Sequence, residues 1–514
     1  MIQTPRVEGA TADPALGSSA EAEVDLAPRV AGASAWAFGA MGGIHALKAG
    51  SQIVLAYLLA REYWGVIAIL QVLLTAVEML SDVGIRGAVV YHRAGTSRSF
   101  LNTAWTAQIA RGVILWLACC ALAWPAAWYY ERPLLLVLLP VCGLESVNNG
   151  LLSVGVYSRQ RTMRVGMPIV LDWIGLGVSI AASIAWALVD PSPWALAIGP
   201  LVGGVVKTTA SHVLIPEVRL RLQWDRDAAR DLIHFGKWIY AGTVAAFVAQ
   251  QFLTLYLGKM VVDSILGLYW VAWGFSVQAT KPLTLISNQV LIPLFAQGGR
   301  LGPREHQARI EGAMHRYLPA CLLIVLGVAF VCPAFFHLLY REEYHEAGNI
   351  GRWIGVVLWF MILQHVPRSA MLSLGDSRGT CLMMVANGAV TVASCIAGYL
   401  FGAGLGVGAL RGAILGNALG NVAGCVAGAA SAHRTGMKVG GPMTRYSAAF
   451  LALFALGVWL DGLLPRLHAA FTPVVSSVLV TAVLLAPLAL VVWRRTIRIA
   501  LAQRRAAKAP ATAP

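Results

Sequence analysis

EMLSDVGIRGAVVYHRAGTSRSFLNTAWTAQIARG, residues 78–112, runs from the end of one apolar segment through a short basic loop into the next. Its reading decides the fold, because Glu78, Asp82, Arg86 and Arg111 lie at the depth of hydrocarbon if the flanking segments cross a membrane. Glu78, Asp82 and Arg86 recur at a spacing of four, so on a helix they share nearly one face, each acid N-terminal to its neighbour. Charges at that depth are expensive and are expected to face a bundle interior or a wet cavity, where they pair or handle a charged cargo. The alternative is local: Asp82 and Arg86 neutralise each other near the helix end, where Arg86 snorkels to the headgroups.

The rest of the chain supports the membrane reading. Hydrophobic residues make up 58% of it and charged ones 12%, with a mean hydropathy of +0.68, far from a soluble globular composition. We count about fourteen apolar runs of spanning length between residues 34 and 493. The expected fold is therefore all-α and polytopic, with no strand needed. The net charge of +15 raises nucleic acid as a partner, but its distribution points to lipid. The tails and the loops after even-numbered spans hold about 26 Lys and Arg, and the opposite loops about six (Arg61, Arg132, Lys259, Arg341, Arg352 and Arg466). Such a bias places both termini in the cytoplasm. The eight Cys lie in or near apolar runs without a CxxC pair and read as small hydrophobes, so neither a disulfide framework nor a metal is expected. Residues 1–33, with acids and prolines ahead of any apolar run, read as a cytoplasmic tail and not as a cleavable signal.

Seven bases remain inside the spans: Lys48, Arg86, Arg111, Lys207, Lys281, Arg368 and Arg411. The intramembrane acids are Glu78, Asp82, Glu145 and Asp172, candidates either for carrying coupling protons or for neutralising those bases. Gln52, Asn148, Gln251 and Asn288 are candidates for hydrogen bonds to sugar hydroxyls, or for tying helices together. Two inner loops, 224–236 and 302–317, are amphipathic and expected as surface helices ahead of the next span. The separation of Gln52 from Tyr57 recurs in Gln251 and Tyr256, and Gly65 and Gly267 open the spans that follow, a faint internal repeat.

LAREYWGVIAILQ (59–71), LSDVGIRGAVVYH (80–92), FLNTAWTAQIARGVILW (100–116), YSRQRTMRVG (157–166), GLYWVAW (267–273) and LLYREEYHEAG (338–348) together resemble the bacterial oligosaccharide flippases, the Wzx-type polysaccharide exporters of the multidrug, oligosaccharidyl-lipid and polysaccharide exporter superfamily. The resemblance extends over most of residues 36–430. It implies two six-helix lobes around a central cavity, spans 1–6 in 34–215 and spans 7–12 in 237–431, joined by an amphipathic linker at 216–236. Two extra helices in 446–493 and a basic cytoplasmic tail at 494–514 would follow. It also implies a non-enzymatic transporter in the bacterial cytoplasmic membrane, without a cofactor. Its cargo would be an undecaprenyl-pyrophosphate-linked oligosaccharide moved from the inner to the outer leaflet for exopolysaccharide, capsule or O-antigen synthesis, beside glycosyltransferases and a polysaccharide polymerase.

A pyrophosphate cargo needs a cationic lumen, which Lys48, Arg86, Arg111, Lys207, Lys281 and Arg368 are placed to supply; Arg suits bidentate phosphate contacts and Lys acts as a point charge. Alternatives on the same fold are a lipid II-type flippase and a cation-coupled multidrug exporter. A membrane glycosyltransferase or polymerase is disfavoured by short outer loops, in which Glu342, Glu343 and Glu346 form the densest acidic patch. The sequence contains no Walker A loop, Rossmann fingerprint or HExxH.

Overall fold

A computed structural model of the chain describes residues 39–80 except 41, 97–161, 166–215, 225–287, 291–296, 303–467 except 405, and 474–490, with isolated residues 222 and 472. Asp82, Arg86 and Asn288, and the tails expected at 1–33 and 494–514, lie outside these. Each of the fourteen expected spans falls on a described helix. We number them α1 (42–58), α2 (Arg61–Leu80), α3 (Arg98–Tyr130), α4 (Leu135–Leu151), α5 (Gly166–Val189), α6 (Trp194–Leu214), α7 (Arg226–Met260), α8 (Asp263–Ile286), α9 (Pro303–Leu339), α10 (His345–Leu363, continuing as His365–Ser373), α11 (Ser377–Gly402), α12 (Ala409–Arg434), α13 (Gly440–Leu467) and α14 (Val474–Leu490). No strand occurs among the described residues. Among the described residues, eight helices are long and apolar enough to cross a membrane by length and composition alone. Helices α6 and α8 are long enough but not apolar enough, and they carry Lys207, Gln278 and Lys281.

The two amphipathic loops turn out not to be separate helices. Residues 226–236 and 303–317 are the first turns of α7 and α9, helices of 35 and 37 residues, about 52–55 Å long against a core of about 30 Å. Hydropathy falls where the chain leaves hydrocarbon, but neither stretch supplies a cap or breaker there; Pro303 instead stands at the first helical position, where a missing N–H is harmless.

Other ends have local causes. The Ser97 hydroxyl accepts from Phe100 N to start α3, and Glu131 in the left-handed region (φ 57°) ends it. Helix α4 stops after Leu151; Gln108 Nε2 donates to the carbonyls of Asn149 and Gly150 (2.8 and 3.2 Å) and Leu152 (3.2 Å), and His212 meets that of Leu151 (2.8 Å). Pro367 lacks an N–H and its ring crowds the carbonyl four residues back, that of Leu363, so α10 breaks at Gln364. The Gln364 side chain then anchors a buried amide cluster, donating to Asn421 O and Oδ1 (3.0 and 2.9 Å) and accepting from Asn387 (3.3 Å).

Contacts in the second six helices repeat those of the first. Helix α3 packs on α4 as α9 packs on α10, α5 on α6 as α11 on α12, and α4 on α6 as α10 on α12. Helices α2 and α8, equivalent in this scheme, pack on each other. Their crossing requires Gly65 and Gly267: a Cβ at Gly65 would strike the Asp263 carbonyl and one at Gly267 the Arg61 carbonyl. The two glycines of the faint sequence repeat thus meet across one seam. Helix α10 is the most enclosed span, with 83% of its apolar window buried, whereas α13 has 17% and packs chiefly on α9. There Phe450 stacks on Trp359 (centroids 4.9 Å apart) and on Phe454, which meets Phe330.

Candidate functional site

Away from its first turn, each of α1–α6 carries a single charged residue: Lys48, Glu78, Arg111, Glu145, Asp172 and Lys207 in order. The fold gathers all six. Lys207 Nζ pairs with Asp172 at 2.7 Å. Arg111 donates to the Glu78 carbonyl at 3.1 Å and lies within electrostatic range of its carboxylate. Glu145 is within range of Glu78, Lys207 and Lys48, and Lys48 in turn of Asp172. Three of the six expected lumen bases, Lys207, Arg111 and Lys48, therefore have acid neighbours, with Lys207 the one in direct contact. For Asp172, neutralising a base is the role the geometry displays.

Lys48 has a second set of neighbours across the seam between the halves. Lys281 of α8 is within its electrostatic range, and His45, one turn before Lys48, lies beside Gln278, one turn before Lys281. His45 Nδ1 and Gln278 Oε1 are both buried and approach each other across this seam, with no third partner among the described residues. His365 of α10 is within range of Lys281 and Arg368. The side chains of Lys48, Lys281 and Arg368 are exposed, and those of Lys48 and Arg368 are so although ringed by protein, the combination expected of residues lining a recess. No acid pairs with Lys281 or Arg368 among the described residues.

His45, Gln278 and His365 are members that the sequence reading missed. One signal was present: each stands three residues before a base, at Lys48, Lys281 and Arg368, hence on the same helix face. The expected sugar-contact amides divide. Gln52 Nε2 donates to the Val271 carbonyl (3.2 Å) and ties α1 to α8; Asn148 Nδ2 is buried and unpartnered, beside Gly204 of α6; Gln251 is half-buried on α7. Arg352, expected in a loop, is one of the bases of α10 and forms an ion pair with Asp461 of α13 (2.8 Å).

At one end the two halves are fastened together by loops that follow odd-numbered helices. Arg132 Nε lies 2.8 and 2.7 Å from the Asp263 carboxylate oxygens, and Lys259 Nζ lies 2.7 Å from Glu131 Oε1, so the α3–α4 corner is clasped to the α7–α8 corner. The symmetry-related clasp joins the α9–α10 corner to the α1–α2 corner: Tyr344 Oη donates to the Leu59 carbonyl (2.8 Å) and Arg61 to the Glu343 carbonyl (3.3 Å). The Lys259 ammonium holds the Glu131 carboxyl below the usual carboxylate range.

The fold is similar to a solved structure of the lipid II flippase MurJ in an inward closed conformation (TM-score 0.67, 11% identity, covering 89% of this chain and 98% of that one). It is also similar to an inward-facing multidrug resistance MATE family transporter of the MOP superfamily (TM-score 0.62, 13% identity, 76% and 95%). The chain belongs to the family described as "Polysaccharide biosynthesis protein", which matches residues 54–346. It is 21% identical over 281 residues to the amylovoran biosynthesis protein AmsL of Erwinia amylovora (54% of this chain, 70% of that protein). It is 21% identical over 306 residues to the lipopolysaccharide biosynthesis protein WzxC of Escherichia coli (strain K12) (57% and 59%), so less than two thirds of WzxC is matched.

Proposed function

We propose that this multi-pass membrane protein flips undecaprenyl-pyrophosphate-linked oligosaccharide from the inner to the outer leaflet of the bacterial cytoplasmic membrane, by alternating access through a cationic lumen. The observation that carries the reading is that both halves bring a base to one seam, Lys48 from α1 and Lys281 from α8, within electrostatic range of each other and with Arg368 behind them, and that no acid pairs with Lys281 or Arg368 among the described residues. A pyrophosphate bridging the two lysines relieves their repulsion, and the unpartnered Nδ2 of Asn148 offers a hydrogen bond to phosphate or sugar. Family membership supports a polysaccharide cargo.

With both termini cytoplasmic, as the basic loops indicate, the clasped face is the outer one, and the cargo enters from the inner leaflet. Opening then requires both clasps to part while the cytoplasmic side closes. Carrying two negative charges outward through 100 mV yields on the order of 4–5 kcal/mol, so the membrane potential suffices to bias export without a coupling ion.

The test measures the amount and sidedness of polyprenyl-pyrophosphate oligosaccharide in membranes of cells lacking this gene, complemented with wild type, Lys281→Ala or Lys281→Arg. We expect the intermediate to accumulate facing the cytoplasm, wild type to clear it, Lys281→Ala to fail at normal expression, and Lys281→Arg to clear it at least partly. Clearance by Lys281→Ala would remove that residue from the cargo site. Absence of accumulation, or accumulation facing outward, would overturn the flippase reading.

A further inference from the structure

A second basic recess lies away from the one between the lobes. It has a volume of about 440 Å³ and is enclosed by α9, the end of α12 and the start of α13, with His315, His433, Lys438 and Arg445 in its wall and Glu311 as its acid. Glu311 already accepts from Gln307 Nε2 (2.8 Å). Gln307 also accepts from Lys438 N (3.1 Å) and donates to the Lys438 carbonyl (2.9 Å), so the connector between α12 and α13 is held by both backbone groups of one residue. Met437 and Val439 are buried to either side of the exposed Lys438. His315 Nδ1 meets Tyr446 Oη at 3.0 Å, which fixes its ring and leaves the other nitrogen available.

Electrostatically this wall is incomplete. Helix α13 opens on Gly440-Gly441-Pro442 with no acid in its first turn, and Arg445 follows. A helix N-terminus is a partial positive charge that ordinarily attracts an acid; here the wall holds Lys438, Arg445 and two histidines against one acid, Glu311, which already accepts from Gln307. The recess also stands where the apolar runs of α12 and α13 end, on the face where the chain enters and leaves the bundle, the level at which basic pockets between helices meet phospholipid headgroups.

We propose that this recess is a binding site for a phosphate group, supplied by an anionic phospholipid headgroup or by free phosphate, which pins α13 to α9 and α12. The site is independent of the cargo recess, and the proposed topology decides only which leaflet supplies the lipid. The test is thermal unfolding of the purified full chain in nanodiscs of phosphatidylcholine with and without phosphatidylglycerol, and in detergent with phosphate or chloride at equal ionic strength. Wild type is compared with Lys438→Gln/Arg445→Gln, with Lys438→Arg, and with Arg316→Gln/Arg434→Gln, a control on basic residues outside the recess wall. We expect phosphatidylglycerol to raise the wild-type midpoint by about 4 °C, the first double variant to lose that rise, and the other two to keep it. A rise with phosphate alone, lost in the same double variant, would support the site with a soluble source. No rise in wild type, or equal rises in wild type and the first double variant, would overturn the proposal; Lys438→Arg keeps the charge and so guards against reading misfolding as lost binding.

Discussion

Arg352 and Asp461 have side chains only 11% and 17% exposed, so neither charge is left to water. Arg352 also lies over the Phe330 ring (5.7 Å), and Asp461 accepts from Ser476 Oγ at 2.9 Å, which draws α14 into the same contact. Removing one partner of such a pair strands the other charge, whereas replacing both with apolar groups is often neutral. Asp461→Ala should therefore lower stability by about 3 kcal/mol, and Arg352→Met with Asp461→Leu should recover most of it, as measured by thermal unfolding of the three proteins in one detergent. Neither residue stood out in the sequence, because each lies close to a span end, where a charge is cheap. The intramembrane bases Lys48, Lys207 and Lys281 were legible for the opposite reason: they interrupt long apolar runs. Which bases have acid neighbours was not legible, since Lys207 meets Asp172 from another helix and the register of the two follows from α5–α6 packing.

The helices themselves were readable from hydropathy, which locates the hydrocarbon. Their ends were not, because hydrogen bonding continues until a cap or a proline intervenes; hence α7 and α9 run well past the apolar limit, and Pro367 divides α10. The α2–α8 crossing is the element contact that draws the two halves together at the clasped face. Gly267→Val puts two methyl groups against the Arg61 carbonyl, and overpacking of this kind costs about 1–3 kcal/mol. It should raise amide hydrogen exchange over residues 57–66 and 259–268 several-fold. Gly462→Ala, where a Cβ meets nothing within 4 Å, should leave that exchange unchanged.

At the scale of the molecule, the paired clasps hold the two halves in one arrangement, and they differ in chemistry. The first includes an exposed ion pair, Lys259 with Glu131, in which the carboxyl's proton affinity is depressed below its ordinary value of 4.5. A depressed folded value means that the contribution is present above the ordinary value and is lost as pH falls through the depressed one. The second clasp, built on carbonyl acceptors of Leu59 and Glu343, has no such dependence in those bonds. Spin labels on Pro133→Cys and Val262→Cys should give a narrow distance distribution above about pH 5, broadening on further acidification, and Lys259→Gln should abolish the step.

The one-charge-per-helix arrangement of α1–α6 also bears on how the protein is made. A span with a single charge at its centre enters the bilayer against a penalty of roughly 2.5–3.5 kcal/mol, which its apolar neighbours offset; a span with three would be retained in the aqueous channel. Spreading three bases and three acids over six helices lets each be inserted in turn during synthesis. Every inserted helix then carries an unneutralised charge, relieved only when the correct partners arrive, so the same residues that cost free energy on insertion also reward correct assembly.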